Sequence, residues 1–151
     1  EVRSAHDARL IIFGEGELRG DLTSQIKSLD LEDCVDLAGY IDNPMAEIKE
    51  ADLYVLSSRF EGSPNGLVEA MSAGTPVIAF DCPHGPYEIL NGGEVAPLVE
   101  YKNMDLLARE IVLQLNEEVS SEKKAAIKEH VSRFKSENSA LKYRTLLLRE
   151  S

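Results

Sequence analysis

Glu61 and Glu69 stand eight positions apart and bracket the segment Gly62-Ser63-Pro64-Asn65-Gly66-Leu67-Val68. An ionised carboxylate only accepts hydrogen bonds, so each of the two suits the paired hydroxyls of a sugar. Ser63 before Pro64 reads as an N-cap followed by a first-turn residue, which predicts a helix start whose free Asn65 and Gly66 amides point outward. An anion at such a tip gains those hydrogen bonds and the helix dipole, about 0.3–1 kcal/mol when exposed and up to about 2 when partly buried. Gly62 and Gly66 carry no side chain to block approach. On a helical wheel Asn65, Glu69 and Ser72 lie opposite Leu67, Ala70 and Met71, leaving Glu69 on the open side. The expected chemistry is a diphosphate held at a helix end, with a hydroxyl-rich ring gripped on either side.

The elements that must position these groups follow from the apolar pattern. Residues 8–13 form an apolar run ending at Gly14-Glu15-Gly16, after which Leu18, Leu22, Ile26 and Leu29 recur at helical spacing. Residues 35–38 make a second short strand closed by Gly39, and Asn43-Pro44 opens a helix carrying Met45 and Ile48. A third strand over residues 52–57 leads into the Glu61 loop and a helix over residues 64–73, terminated by Gly74. Residues 76–80 are a fourth strand, Gly85-Pro86 starts a short helix through Leu90, and residues 95–99 are a fifth strand interrupted by Pro97. Leu106, Leu107, Ile111 and Leu115 then mark an amphipathic helix from Met104, and two charged helices follow, over residues 122–134 and 137–149. Alternating strands and helices call for parallel pairing through right-handed crossovers, hence an α/β, Rossmann-like parallel sheet flanked by helices, with a helical C-terminal tail.

Composition narrows the function. A chain of 151 residues with 43% hydrophobic content fits one domain with its own core. Its 27 acidic and 16 basic residues give a formal net charge of −11, which repels nucleic acid unless a basic face is concentrated somewhere. Lys123, Lys124 and Lys128 alternate with Glu122 and Glu129 and read as a solvated helix face. Cys34 and Cys82 have no metal-ligand spacing and read as idle thiols of a reducing compartment. No apolar run reaches membrane-spanning length, and Glu1-Val2-Arg3-Ser4 is no signal or transit peptide. The chain starts without Met and enters a strand within ten residues, which suggests a piece of a longer polypeptide.

Other constellations weigh less. Gly14, Gly16 and Gly20 miss the spacing of a dinucleotide fingerprint, and Asp36 falls inside a predicted strand instead of at its end. His84 lies in a loop where it could touch a phosphate, but a lone loop histidine is more often a surface residue. Glu88 could shape the same rim or simply favour its helix's first turn. His6 and His130 have no partners within reach by sequence.

The stretch from Glu61 to Glu69, continuing as Ala70-Met71-Ser72-Ala73-Gly74-Thr75-Pro76-Val77-Ile78-Ala79, resembles the E-x7-E signature of the family 4 glycosyltransferases, retaining enzymes of GT-B architecture. The resemblance takes in Gly14-x-Gly16, Gly39-Tyr40, Ala51-Asp52-Leu53 and Gly85-x-x-Glu88-Ile89-Leu90, and so covers nearly the whole chain. It weighs against the bland alternative that both glutamates are mere exposed charges. It implies the C-terminal, nucleotide-sugar-binding domain of such an enzyme, with the N-terminal acceptor domain missing. The form Glu61-Gly62-Ser63-Pro64-Asn65 with Asp81-Cys82-Pro83-x-Gly85-Pro86 looks most like members that build surface glycans from UDP-hexoses or UDP-N-acetylhexosamines.

Carried over residue by residue, the resemblance makes Glu61 the catalytic position, in contact with the transferred sugar, and Glu69 the ribose ligand. Gly62, Ser63, Asn65 and Gly66 belong to the donor site, the last two meeting the distal phosphate or sugar. Gly14 and Gly16 line the phosphate side, and the backbone at Tyr40 and Ile41 faces the base. Retention in this family is ascribed to same-face attack with the departing phosphate taking the acceptor proton, so no protein nucleophile is required, although Glu61 leaves that route formally open. The family's phosphate-binding Arg and Lys precede the Gly14-x-Gly16 strand and are absent here, so the isolated chain is expected to bind nucleotide weakly and transfer nothing. No cofactor or metal is expected. The implied partners are a nucleotide sugar and a lipid- or polymer-linked glycan acceptor, at a cytoplasmic site or peripherally at the inner membrane face. Two alternatives stay open: a non-catalytic nucleotide-sugar binding module, and a GT-B epimerase or phosphorylase.

Overall fold

The computed structural model describes residues 1–134 and 136–149. The chain divides into two compact units, Glu1–Ala46 and Glu47–Ser151. The first holds a one-turn helix α1 (Val2–Ala5), strand β1 (Leu10–Phe13), helix α2 (Arg19–Ser28) and strand β2 (Val35–Gly39), and helix α3 (Met45–Glu50) begins at its end. β1 and β2 pair in parallel, Leu10 opposite Val35 and Phe13 opposite Gly39, with a register shift after Ile12. A parallel pair needs a crossover, and α2 supplies it. The helical spacing of Leu18, Leu22 and Leu29 does not translate into burial, since all three stay exposed.

The second unit carries strand β3 (Tyr54–Leu56), helix α4 (Asn65–Ala73), strand β4 (Val77–Phe80), helix α5 (Pro86–Ile89), a 3-10 turn (Asn91–Gly93) and strand β5 (Leu98–Val99). Helices α6 (Met104–Asn116) and α7 (Ser121–Val131), a 3-10 turn (Ser132–Phe134) and helix α8 (Ser136–Arg149) complete it. The strands run parallel in the order β3-β4-β5. β4 takes the middle because all four of its residues are apolar enough to be buried on both faces, and all four are. Ile78 and Phe80 join Val99 and Leu107 of α6 in one cluster, and Leu67, Ala70 and Met71 of α4 are fully buried. Each Leu or Met so buried contributes about 1.5–3 kcal/mol.

The expected alternation of strands and helices, the parallel pairing and the helical cover are all present, but the strands form two sheets, β1-β2 and β3-β4-β5, in place of one. β5 is also shorter than residues 95–99. Pro97 has no N–H for the ladder, and only its carbonyl takes part, accepting from the Ala79 amide at 3.2 Å. α4 ends as anticipated: Gly74 adopts φ +84°, and the Thr75 amide donates back to the Ala70 carbonyl at 3.0 Å. The aliphatic stem of Lys128, on α7, lies where a side chain at position 74 would go.

Candidate functional site

β3 and β4 are parallel neighbours, so the loops that follow them emerge at the same edge of the sheet, where ligands of such sheets collect. The two loops are tied together. The Glu61 amide donates to the Pro83 carbonyl at 3.4 Å, and the Phe60 and His84 rings meet edge to face with centroids 6.1 Å apart. A Cβ on Gly85, which sits at φ +93°, would fall 2.5 Å from Cδ of Pro64, so only glycine lets the second loop close on the first. His84 is held at φ +65°, an unusual conformation for a residue with a side chain.

Between the loops lies a cleft of about 760 Å³, within the usual size of a small-ligand site. Glu61, Gly62, Ser63 and Asn65 form one side, and His84, Tyr87 and Glu88 are among the residues opposite. Glu61 is half-buried and oriented by Ser58, whose hydroxyl donates to Oε1 at 2.6 Å. Among the described residues no lysine or arginine lines the cleft, whose carboxylates are Glu61 and Glu88. It is therefore built to accept hydrogen bonds from hydroxyl groups more than to neutralise an anion.

The tip of α4 differs from its expected form. Pro64, not Ser63, occupies the cap position, and Asn65 is the first helical residue. The Asn65 amide is not free: it donates to the Ser63 carbonyl at 2.9 Å, because the chain tightens before the helix begins. Leu67 and Val68 donate to the Pro64 carbonyl, which leaves the Gly66 amide without a backbone acceptor among the described residues. Gly66 and Glu69 do not line the cleft, and Glu69 stands exposed on α4.

What connects these two to Glu61 is Tyr54, which the sequence did not single out. A Cβ on Gly66 would lie 2.5 Å from the Tyr54 hydroxyl, so the phenol occupies the space that a side chain at position 66 would need. Burial, then the charge of Glu61, then that of Glu69 push the Tyr54 pKa above its ordinary value. Both carboxylates thus act on a single phenol at the root of α4. Burial and the charges of Glu61 and Asp81 likewise push up the Cys82 thiol, despite a lowering backbone hydrogen bond, so the thiol stays protonated.

Gly14, Gly16, Tyr40 and Ile41 belong to the first unit. Gly14 adopts φ +118° and its amide donates to the Gly39 carbonyl at 2.7 Å, while nothing stands within 4 Å of the Cβ position on Gly16. Arg19 steadies this turn, donating to Glu15 at 2.8 Å and to the Leu37 carbonyl at 2.9 Å. Tyr40 is exposed and Ile41 half-buried. Among the described residues, no three or more His, Cys, Asp or Glu side chains are grouped to hold a metal ion, and no helix is long and apolar enough to cross a membrane.

Parallel strands flanked by helices, with a cleft at the strand ends lined by carboxylates among the described residues, define an α/β domain of Rossmann-like class. Residues 1–117 match the family described as glycosyl transferases group 1, and the chain belongs to that family. It is 32% identical over 122 residues to a poly(glycerol-phosphate) alpha-glucosyltransferase of Bacillus subtilis, covering 81% of this chain and 18% of that protein. It is 30% identical over 118 residues to a poly(ribitol-phosphate) alpha-N-acetylglucosaminyltransferase of Staphylococcus aureus, covering 78% and 24%. A mutant of S. aureus TarM crystallised with fondaparinux, alpha-GlcNAc-glycerol and UDP superposes with a TM-score of 0.86 at 28% identity, over 99% of this chain and 31% of that one. The chain thus spans about a fifth to a quarter of the curated relatives' length. The expected recognition is met: this is the fold of a GT-B glycosyltransferase C-terminal domain.

Proposed function

We propose that the chain is the donor-binding domain of a retaining hexosyltransferase that builds a surface glycan, and that the cleft beside Glu61 takes the sugar of a UDP-hexose or UDP-N-acetylhexosamine. The observation that carries this reading is Glu61 itself, a half-buried carboxylate with one oxygen engaged by Ser58, in a cleft that no lysine or arginine lines among the described residues. Such a group favours a neutral polyol. The free Gly66 amide, at the start of α4, suits the distal phosphate. Glu69, outside the cleft on the exposed face of α4, serves the ribose. The roles of Gly14, Gly16, Tyr40 and Ile41 rest on the sequence resemblance alone. UDP is the favoured nucleotide because the TarM mutant was crystallised with it.

In the whole enzyme the bond from the anomeric carbon to the phosphate oxygen breaks, the acceptor hydroxyl attacks from the same face, and the departing phosphate takes its proton. Stabilising that phosphate as charge develops is the main task. The reading requires no bound cation, and this chain alone is expected to transfer nothing. The acceptor is a lipid- or polymer-linked glycan presented at the cytoplasmic membrane face, in keeping with the polymer-phosphate names of two relatives.

The test is titration of this chain with UDP, GDP and their hexose conjugates, followed by amide NMR. UDP should move the Gly66 signal, and UDP-sugars should add shifts at Glu61 and Ser63. Glu69→Ala should weaken UDP, whereas Glu61→Ala should weaken UDP-sugar more than UDP. An equal loss of UDP in both variants, or an unmoved Gly66 signal, overturns the assignment.

A further inference from the structure

One residue of the cleft's lining comes from beyond the family-matched residues 1–117. Phe134, in the 3-10 turn after α7, lines the cleft together with Val68 of α4 and Ile89 of α5. Two hydrogen bonds fasten this turn and the end of α7 to α5: the Arg133 guanidinium donates to the Glu88 carbonyl at 2.8 Å, and His130 Nε2, on α7, lies 2.8 Å from the Ile89 carbonyl. A carbonyl only accepts, so Nε2 carries the proton. The same guanidinium stacks 4.8 Å from the Phe134 ring centroid, so one side chain both orients the ring and anchors the turn. The cleft thus combines the polar Glu61, Ser63 and Asn65 with the apolar Val68, Ile89 and Phe134 in one lining.

We propose that Phe134 is a specificity-determining residue, and that with Val68 and Ile89 of the same lining it makes an apolar corner that receives the acetyl methyl of an N-acetylhexosamine. This rests on the donor-site reading above. An acetamido group brings a methyl that prefers apolar contact and an amide that needs both an acceptor and a donor. The Ser63 hydroxyl and the Asn65 side-chain amide line the same cleft and make no hydrogen bond among the described residues, so they are free to serve it. A 6-deoxy sugar would fill the corner but leave those groups idle. A plain hexose would leave the corner unfilled.

The experiment measures the ratio of Kd for UDP-glucose to Kd for UDP-GlcNAc on this chain by NMR titration, with saturation transfer from protein to ligand as a second readout. Burying one methyl group predicts a ratio of roughly four or more. The acetyl methyl should receive the strongest saturation of the sugar protons. Phe134→Ala should bring the ratio close to one, and Phe134→Leu, which keeps an apolar wall, should retain most of it. UDP binding with a ratio of one, weak saturation of the acetyl methyl, or a ratio indifferent to Phe134→Ala would overturn the proposal while leaving the donor site intact. Absence of UDP binding altogether would instead overturn the donor-site reading on which it rests.

Discussion

The contact between Gly66 and Tyr54 can be tested without any ligand. In Gly66→Ala the new Cβ would stand 2.5 Å from the Tyr54 hydroxyl, closer than two such atoms are found, so the ring or the first turn of α4 must move. Overpacking of this kind costs about 1–3 kcal/mol. The gain from replacing glycine in a helix is at most about 1 kcal/mol. Gly66→Ala should therefore lose up to roughly 2 kcal/mol on balance. Tyr54→Phe removes the obstructing oxygen, and the nearest remaining ring atom, at 3.4 Å, makes an ordinary contact. By itself that change should matter little, since the hydroxyl makes no hydrogen bond among the described residues. The double variant should then be at least as stable as Tyr54→Phe, a coupling of about 1–3 kcal/mol, the overpacking itself, where independent sites would add within about 0.5. Thermal unfolding followed by circular dichroism reads this as a shift of about 2–4 °C per kcal/mol for a chain of this size. Additive losses in the double variant would refute the proposed contact and, with it, the convergence of Glu61 and Glu69 on one phenol.

Two further outcomes follow from the same region and the core. Because the folded chain raises the Tyr54 pKa above 10.0, its contribution to stability is fully present below about pH 10 and is lost as pH rises through the folded value. Near-ultraviolet titration of the five tyrosines should show one late component that is missing in Tyr54→Phe and comes earlier in Glu61→Gln; an unchanged profile in both contradicts the placement. Thr75 is buried and its hydroxyl donates to the Ile48 carbonyl at 2.7 Å, an acceptor that also receives the Ala51 amide at 3.3 Å. Thr75→Val should thus cost about 1 kcal/mol, the low end for a buried hydrogen bond, and a loss above about 3 by urea unfolding would mean that the hydroxyl does more.

Local signals carried most of the architecture. The buried run of β4, the inward face Leu67-Ala70-Met71 and the glycine stop at Gly74 each depend on neighbours within a turn or two, and each lies where the pattern put it. Asn103 caps α6, accepting from the Leu106 amide at 3.0 Å, at the start marked by Met104. What depends on contacts between distant segments was not legible. Whether Ser63 or Pro64 caps α4 turns on how tightly the loop bends beside Pro83 and Gly85, and the pairing of strands into two sheets is not written in any one strand. Tyr54 looks like an ordinary strand aromatic until α4 is laid over it. Phe134 reads as one more apolar residue of a charged tail until Arg133 and His130 fasten that tail to α5.

Gly74 shows how a residue with no chemistry of its own can bear on the placement of a distant cleft wall. Its left-handed turn releases the chain from α4, and the bare surface it leaves is the seat for the stem of Lys128, on the helix that leads to Phe134. A side chain there would be strained by its own backbone and would press against α7, shifting the lever whose far end borders the cleft. Variants at position 74 should accordingly be rescued, where they can be, by trimming Lys128. In a library screened for altered sugar preference, paired changes at these two positions are the ones to look for far from the cleft.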